Sequence, residues 1–215
     1  MAKQMINVGC GNWPLRLWVT AGLALLSIES MKAAPIEVGL ETSVGEVRFE
    51  LYPGKAPKTV ANFLKYIDGG HFEGGSFYRV VRLDNQAQND VKIEVIQGGL
   101  SGKSDAASFD PIPLERTRDT GLKHVDGALS MARAGPDTAT SEFFICVNDQ
   151  PSLDFGGRRN PDGQGFAVFG KVIDGMDVVR RIQAMETDTP DPENLKYTSG
   201  QSLRAPIRFL SFERR

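Results

Sequence analysis

From Ile36 onward, apolar and polar positions alternate in short runs. Val47, Phe49 and Leu51 interleave with Glu46, Arg48 and Glu50, the period of a half-buried strand. Ahead of them, Thr42-Ser43-Val44-Gly45 has the composition of a hairpin turn leading back to a strand around Glu37–Glu41. Pro57 opens a different period. Val60, Phe63, Leu64 and Ile67 fall on one helical face, and Gly69-Gly70 ends it. A second helix is expected near Met176–Met185, with Val178, Ile182 and Met185 on one face, and a last strand at Ile207–Phe212. Short strands, Gly-rich turns and only two helices point to a mainly β closed barrel or sandwich, not to a parallel α/β sheet. Leu83–Lys92 and Asp154–Gly165 read as long surface loops, and Glu186–Gly200 as a polar stretch rich in Thr, Asp and Pro.

Upstream, residues 17–28 (LWVTAGLALLSI) form an uncharged, largely apolar run between Arg16 and Glu29. That length suits the core of an export signal and falls short of the roughly 20 residues that span a bilayer. A cut after Ala33 or Ala34 would leave Met31 or Lys32 where a small residue is wanted. An uncleaved membrane anchor and a nonfunctional tail therefore stay open as alternatives. The chain divides accordingly into an export extension, 1–34, and one domain, 35–215. Export to a bacterial periplasm is expected, with a membrane-anchored or cytoplasmic protein as the alternatives. Membrane contact is expected only transiently, through the signal. Cys10 precedes the apolar run, which argues against a lipoprotein anchor.

The formal net charge of −2 is unevenly placed. Residues 1–34 hold Lys3, Arg16 and Lys32 against Glu29, so the remainder carries 22 basic and 26 acidic residues, a net of −4. A mildly acidic body gives no electrostatic reason to bind nucleic acid. Two cysteines are too few for a disulfide scaffold, and Cys146, inside Phe143–Val147, reads as a small core residue. His71 and His124 are the only histidines, so no metal site and no cofactor are expected. Gly98–Ser104 approaches a phosphate-binding loop but has Gln97 where that pattern needs glycine. No G-x-S-x-G elbow occurs, and two scattered histidines give no sign of a serine-hydrolase triad.

The informative segments lie between these. Phe77-Tyr78-Arg79-Val80-Val81 places an arginine in a strand of packing residues, on the face opposite its immediate neighbours. Val95-Ile96-Gln97-Gly98-Gly99 follows, then Gly127-Ala128-Leu129-Ser130-Met131-Ala132, Ser141-Glu142-Phe143-Phe144-Ile145, and Val168-Phe169-Gly170-Lys171-Val172. In this order they resemble the cyclophilin family, over about Glu37–Phe212. The resemblance implies an eight-stranded closed antiparallel barrel capped by two helices, and peptidyl-prolyl cis/trans isomerase activity without a cofactor. The substrates would be proline-containing polypeptides, and the protein a monomer.

The same resemblance implies roles for individual residues. Arg79 would be the catalytic arginine and Gln97 its partner, bonding the substrate backbone or orienting Arg79. Phe144, Leu153 and Val95 would line the proline socket, with Phe166 beside it in place of a usual histidine. Ala132 and Arg133 would meet substrate through main-chain groups, and Glu142 stands where glutamine is usual. Ser152 replaces a bulky aromatic, and Glu94 falls where an aromatic often lines the pocket, with Ile93 able to fill that space. These departures leave a second function open: a proline-peptide binding or chaperone module with little turnover.

Overall fold

The structure, a computed structural model, describes Met1 and residues 33–101, 109–190 and 196–215. Its strands are β1 Ile36–Thr42, β2 Gly45–Leu51, β3 Ser76–Val81, β4 Val95–Gly99, β5 Ala128–Met131, β6 Phe143–Cys146, β7 Ala167–Asp174 and β8 Ser202–Arg214. Helix α1 spans Pro57–Asp68, α2 is a single turn at Thr117–Thr120, and α3 spans Met176–Gln183. The strands close in the order β1-β2-β7-β5-β6-β4-β3-β8, every pair antiparallel, which removes the exposed edges of an open sheet.

The first hairpin forms as its sequence suggests, with Thr42 paired to Gly45 around a two-residue loop. Gly45 has φ +139°, and a Cβ there would lie 2.8 Å from Val178, so α3 packs directly on this turn. Helix α1 starts at Pro57 and borrows its N-terminal partner from afar. The Glu115 carboxylate accepts from Lys58 N (3.1 Å), Thr59 N (2.8 Å) and Thr59 Oγ1 (2.6 Å), serving N–H groups that no helical carbonyl reaches. Its apolar face enters the barrel. The Phe63 ring lies 4.9–5.5 Å from those of Phe72, Phe143, Phe169 and Phe212, distances typical of favourable aromatic pairs. Val178, Val179 and Ile182 of α3 join the same core.

Three expectations change in detail. Helix α3 ends at Gln183, so Met185 lies beyond it, though still packed on the core. β8 runs well past Ile207–Phe212 at both ends because β3 pairs with its start and β1 with its end. Ladder hydrogen bonds hold residues whose polarity carries no strand signal. The two long surface loops are not simply surface. Gln86 is fully buried; its Nε2 donates to Arg82 O and Ile93 O, both at 2.7 Å, and its Oε1 accepts from Ile93 N and from Arg159 Nη1 at 3.0 Å. Arg159, only 6% exposed, also reaches Val91 O, which staples the two loops together. Polar side chains have turned inward to satisfy buried main-chain groups, which hydrophobic periodicity does not register. The apolar run 17–28, Cys10 and Gly102–Ser104 lie outside the described residues.

Candidate active site

β3 carries a bulge between Phe77 and Arg79 that shifts its register against both β4 and β8. Strict alternation would set Arg79 opposite Tyr78 and Val80. Instead Phe77 and Val80 both enter the barrel core, while Tyr78 and Arg79 share the outer face. The extra residue re-aims two polar side chains onto one surface, where a hydrogen-bonded row fixes them.

Arg79 donates from Nε (2.9 Å) and Nη2 (2.6 Å) to Gln201 Oε1, and from Nη1 (2.7 Å) to Gln97 Oε1. Gln97 Nε2 donates to the Tyr78 hydroxyl at 2.7 Å, and that hydroxyl donates to Glu142 Oε2. The other oxygen of Glu142 accepts from Leu100 N (2.8 Å) and Ser101 N (2.9 Å). This is possible because Gly99 has φ +148° and no Cβ, which would otherwise lie 2.6 Å from the carboxylate. Burial, and then the Glu142 charge, push the Tyr78 hydroxyl well above its ordinary pKa, so it remains a donor. Burial also pulls the Arg79 guanidinium down from its ordinary value; Arg159 adds to this, and Tyr197 and Tyr78 oppose it. The group stays a cation all the same.

Beside this row lies an apolar wall outside the barrel core. Phe144, Leu153, Val95 and Ile93 are buried together, with Phe166 and Ala132 packed against them. The Phe144 and Phe166 rings meet edge to face at 5.4 Å. The wall and the row enclose a cavity of about 530 Å³. Arg79, Gln97, Phe144, Leu153, Phe166, Val95, Ala132, Arg133 and Glu142 all line it. Two of them carry side-chain contacts that sequence does not announce. Arg133 is buried against the 154–165 loop, donating to Asp162 Oδ2 (2.7 Å) and Gly165 O (2.9 Å) and sitting 4.9 Å over the Phe166 ring. The Glu142 carboxylate is committed to Tyr78 and to the chain leaving β4. Among the departures, Ile93 lines the cavity, while Glu94 accepts from Asn148 Nδ2 instead.

Among the residues of this surface that were not anticipated are four that meet its polar row or its cations: Tyr78, Gln201, Arg159 and Tyr197. Gln201 and Tyr197 come from the stretch leading into β8, and Arg159 from a loop of no fixed pattern. Only Tyr78, next to Arg79, carried any local signal.

The structure also aligns a triad that sequence reading discounts. His124 Nδ1 lies 2.8 Å from Asp154 Oδ1, and its Nε2 lies 3.0 Å from Ser130 Oγ. Ser130 is fully buried and His124 is 2% exposed, so no substrate carbonyl reaches the serine. Burial holds the imidazole below its ordinary pKa despite Asp154. For Asp154 burial acts upward, but the bonds from His124 and the charges of His124 and Lys123 outweigh it and hold the carboxyl low. The triad is a structural strut: it ties the 3₁₀ turn Pro151–Leu153, which carries Leu153, to β5, and the imidazole stacks on Phe144 at 5.9 Å.

The fold and site together are a closed barrel that bears, on its outer face, an apolar wall beside a pinned guanidinium. Residues 37–199 match the family model for "Cyclophilin type peptidyl-prolyl cis-trans isomerase/CLD". The chain belongs to this cyclophilin-type family. It is 38% identical over 151 residues to a peptidyl-prolyl cis-trans isomerase of Streptomyces antibioticus, covering 70% of this chain and 84% of that one. It is 34% identical over 200 residues to one from Acinetobacter baylyi, covering 92% and 94%. A crystal structure of a Cryptosporidium parvum cyclophilin-type isomerase shares the fold, with a TM-score of 0.62 at 24% identity over 84% of this chain and 98% of that one. The same parasite protein has been solved in the presence of the dipeptide Ala-Pro, with a TM-score of 0.61.

Proposed function

We propose that this cyclophilin catalyses X-Pro isomerisation by clamping the proline ring in the socket and directing Arg79 at the proline nitrogen. The peptide bond before proline turns over a barrier of about 18–20 kcal/mol because nitrogen shares its lone pair with the carbonyl. Localising that pair on nitrogen lowers the barrier, and a fixed positive donor in a water-poor groove does so. The carrying observation is the state of Arg79. Three of its five N–H groups are held by Gln201 and Gln97, which fixes the guanidinium plane and leaves one N–H on each Nη that substrate reaches once the exposed Tyr197 side chain moves off. Phe144, Leu153, Phe166 and Val95 supply the ring's apolar surroundings. No covalent step is needed. An acceleration of about 10⁵ would take about 7 kcal/mol of preferential binding of the twisted amide.

Arg79→Ala tests this. In a peptide isomerisation assay kcat/KM is expected to fall about 10²–10³-fold, the cost of one transition-state donor, with the fold retained. Turnover within threefold of wild type would remove Arg79 from the mechanism, and a wild-type protein that binds Ala-Pro peptides without turning them over would leave a binding module.

We further infer that its clients are exported proteins, a reading supported by Arg16 and the apolar run 17–28. Residues 1–36 fused to a reporter active only outside the cytoplasm are expected to give signal. A silent reporter, with full-length protein in the cytosol, would refute export.

A further inference from the structure

Arg159 stands next to the catalytic arginine and is not used by the chemistry above. It is 6% exposed and lines the same cavity. Its Nη1 is taken by Gln86 Oε1 and Val91 O, but its Nε and Nη2 are buried with no hydrogen-bond partner among the described residues. Buried donors of a cation rarely stay unmatched unless something else completes them. Tyr197 lies over both cations, its ring centroid 5.2 Å from Arg159 Cζ and 5.5 Å from Arg79 Cζ. That tyrosine is 54% exposed, so its ring can swing aside without opening the core.

The charge around this pair is one-sided. Arg79, Arg133 and Arg159 line the cavity against a single carboxylate, Glu142, although residues 35–215 carry a net negative charge. Arg133 is neutralised by Asp162, and Glu142 is tied to Tyr78, Leu100 and Ser101. No carboxylate among the described residues is hydrogen-bonded to Arg79 or Arg159: their partners are amide and main-chain oxygens and, for Arg79, Tyr197.

We propose that Arg159, together with Arg79, forms a subsite for a substrate carboxylate beside the proline socket. The subsite rests on the peptide-binding reading above and adds a substrate class to it: X-Pro segments flanked by an acidic side chain, or ending in a free carboxylate. A guanidinium matches a carboxylate with paired donors, and a charge-assisted bond there is worth about tenfold or more in selectivity.

The test uses amide-capped peptides with Glu or Gln immediately before or immediately after the proline, plus a proline-ending peptide as free acid and as amide. Isomerisation is read by NMR exchange, and binding by NMR titration. About a tenfold preference for Glu over Gln at one position assigns a side-chain carboxylate; a preference confined to the free acid assigns a chain end. Either should collapse toward one in Arg159→Met and largely survive in Arg159→Lys. Ratios below about two in all pairs for the wild-type protein overturn the subsite, whether or not a variant folds. So does a preference that persists in Arg159→Met. Absence of turnover on the Gln peptides would instead sink the isomerase reading, while the titration still reads the subsite.

Discussion

Tyr78→Phe isolates the row that holds Arg79, because it deletes one oxygen and keeps the ring. In the wild-type protein Glu142 can only accept, so it takes the hydroxyl proton and leaves the Tyr78 oxygen as an acceptor facing Gln97. Gln97 must then present its NH₂ to Tyr78 and its carbonyl to Arg79. Without the hydroxyl the Gln97 NH₂ loses its acceptor, and Arg79, which needs the carbonyl, is left as the only group that still orients the amide. The deletion removes one neutral hydrogen bond, worth about 0.5–1.5 kcal/mol, and one to a charged acceptor, worth about 1.5–3 kcal/mol. Tyr78 and Gln97 are only half-buried and water recovers part of this, so we expect a stability loss of about 1–2 kcal/mol by urea denaturation. The less firmly held amide should cost kcat/KM about 5–20-fold, equivalent to about 1–2 kcal/mol in the barrier. The assay is peptide isomerisation at a temperature where both proteins are fully folded. A double-mutant cycle separates positioning from general damage: in a Gln97→Ala background, Tyr78→Phe should cost almost nothing further. Activity within twofold of wild type, or an equal loss in both backgrounds, would refute the relay.

Two other expectations follow from buried groups. The imidazole of His124 is held below its ordinary pKa, so as pH falls through about 6.5 the unfolded chain takes up a proton that the folded one refuses. Stability should be level above about pH 7 and decline below 6.5 by up to about 1.4 kcal/mol per pH unit, with the low-lying Asp154 adding its share only in stronger acid. Denaturation curves that coincide at pH 7 and pH 5.5 would contradict this. Cys146 is fully buried, and burial, then Asp154, push its thiol well above the ordinary value. Alkylation of Cys146 in the native protein should therefore be negligible at neutral pH and become rapid only on unfolding. Fast labelling of folded protein, followed at that residue by mass spectrometry, would show an opening of β6 that the structure does not contain.

Much of this protein was legible along the chain because hydrophobic burial leaves a local period. The β1–β2 alternation, the helical face Val60–Ile67 and the turn at Gly45 each follow from residues that are neighbours in sequence. Arg79, Val95, Gln97, Ala132, Glu142 and Phe144 were legible as neighbours because they lie in short ordered motifs, whereas Arg133, Leu153 and Phe166, outside those motifs, followed only from the resemblance taken over the whole domain. What sequence could not supply was register and long-range pairing. A single bulged residue decides that Tyr78 faces outward with Arg79, and no composition rule specifies where a ladder slips. Gln201 reaches Arg79 across 122 positions and Arg159 reaches Gln86 across 73, partners chosen by the closure of β3 against β8 and the docking of two loops. Ser130, His124 and Asp154 fall into line for the same reason, and only their burial tells a strut from a catalytic triad. Periodicity determines which residues are hidden. Which polar groups then meet, and what charge remains unmatched in the groove, is decided by the tertiary fold, because a buried hydrogen bond depends on three-dimensional proximity and leaves no mark on the residues beside it in the chain.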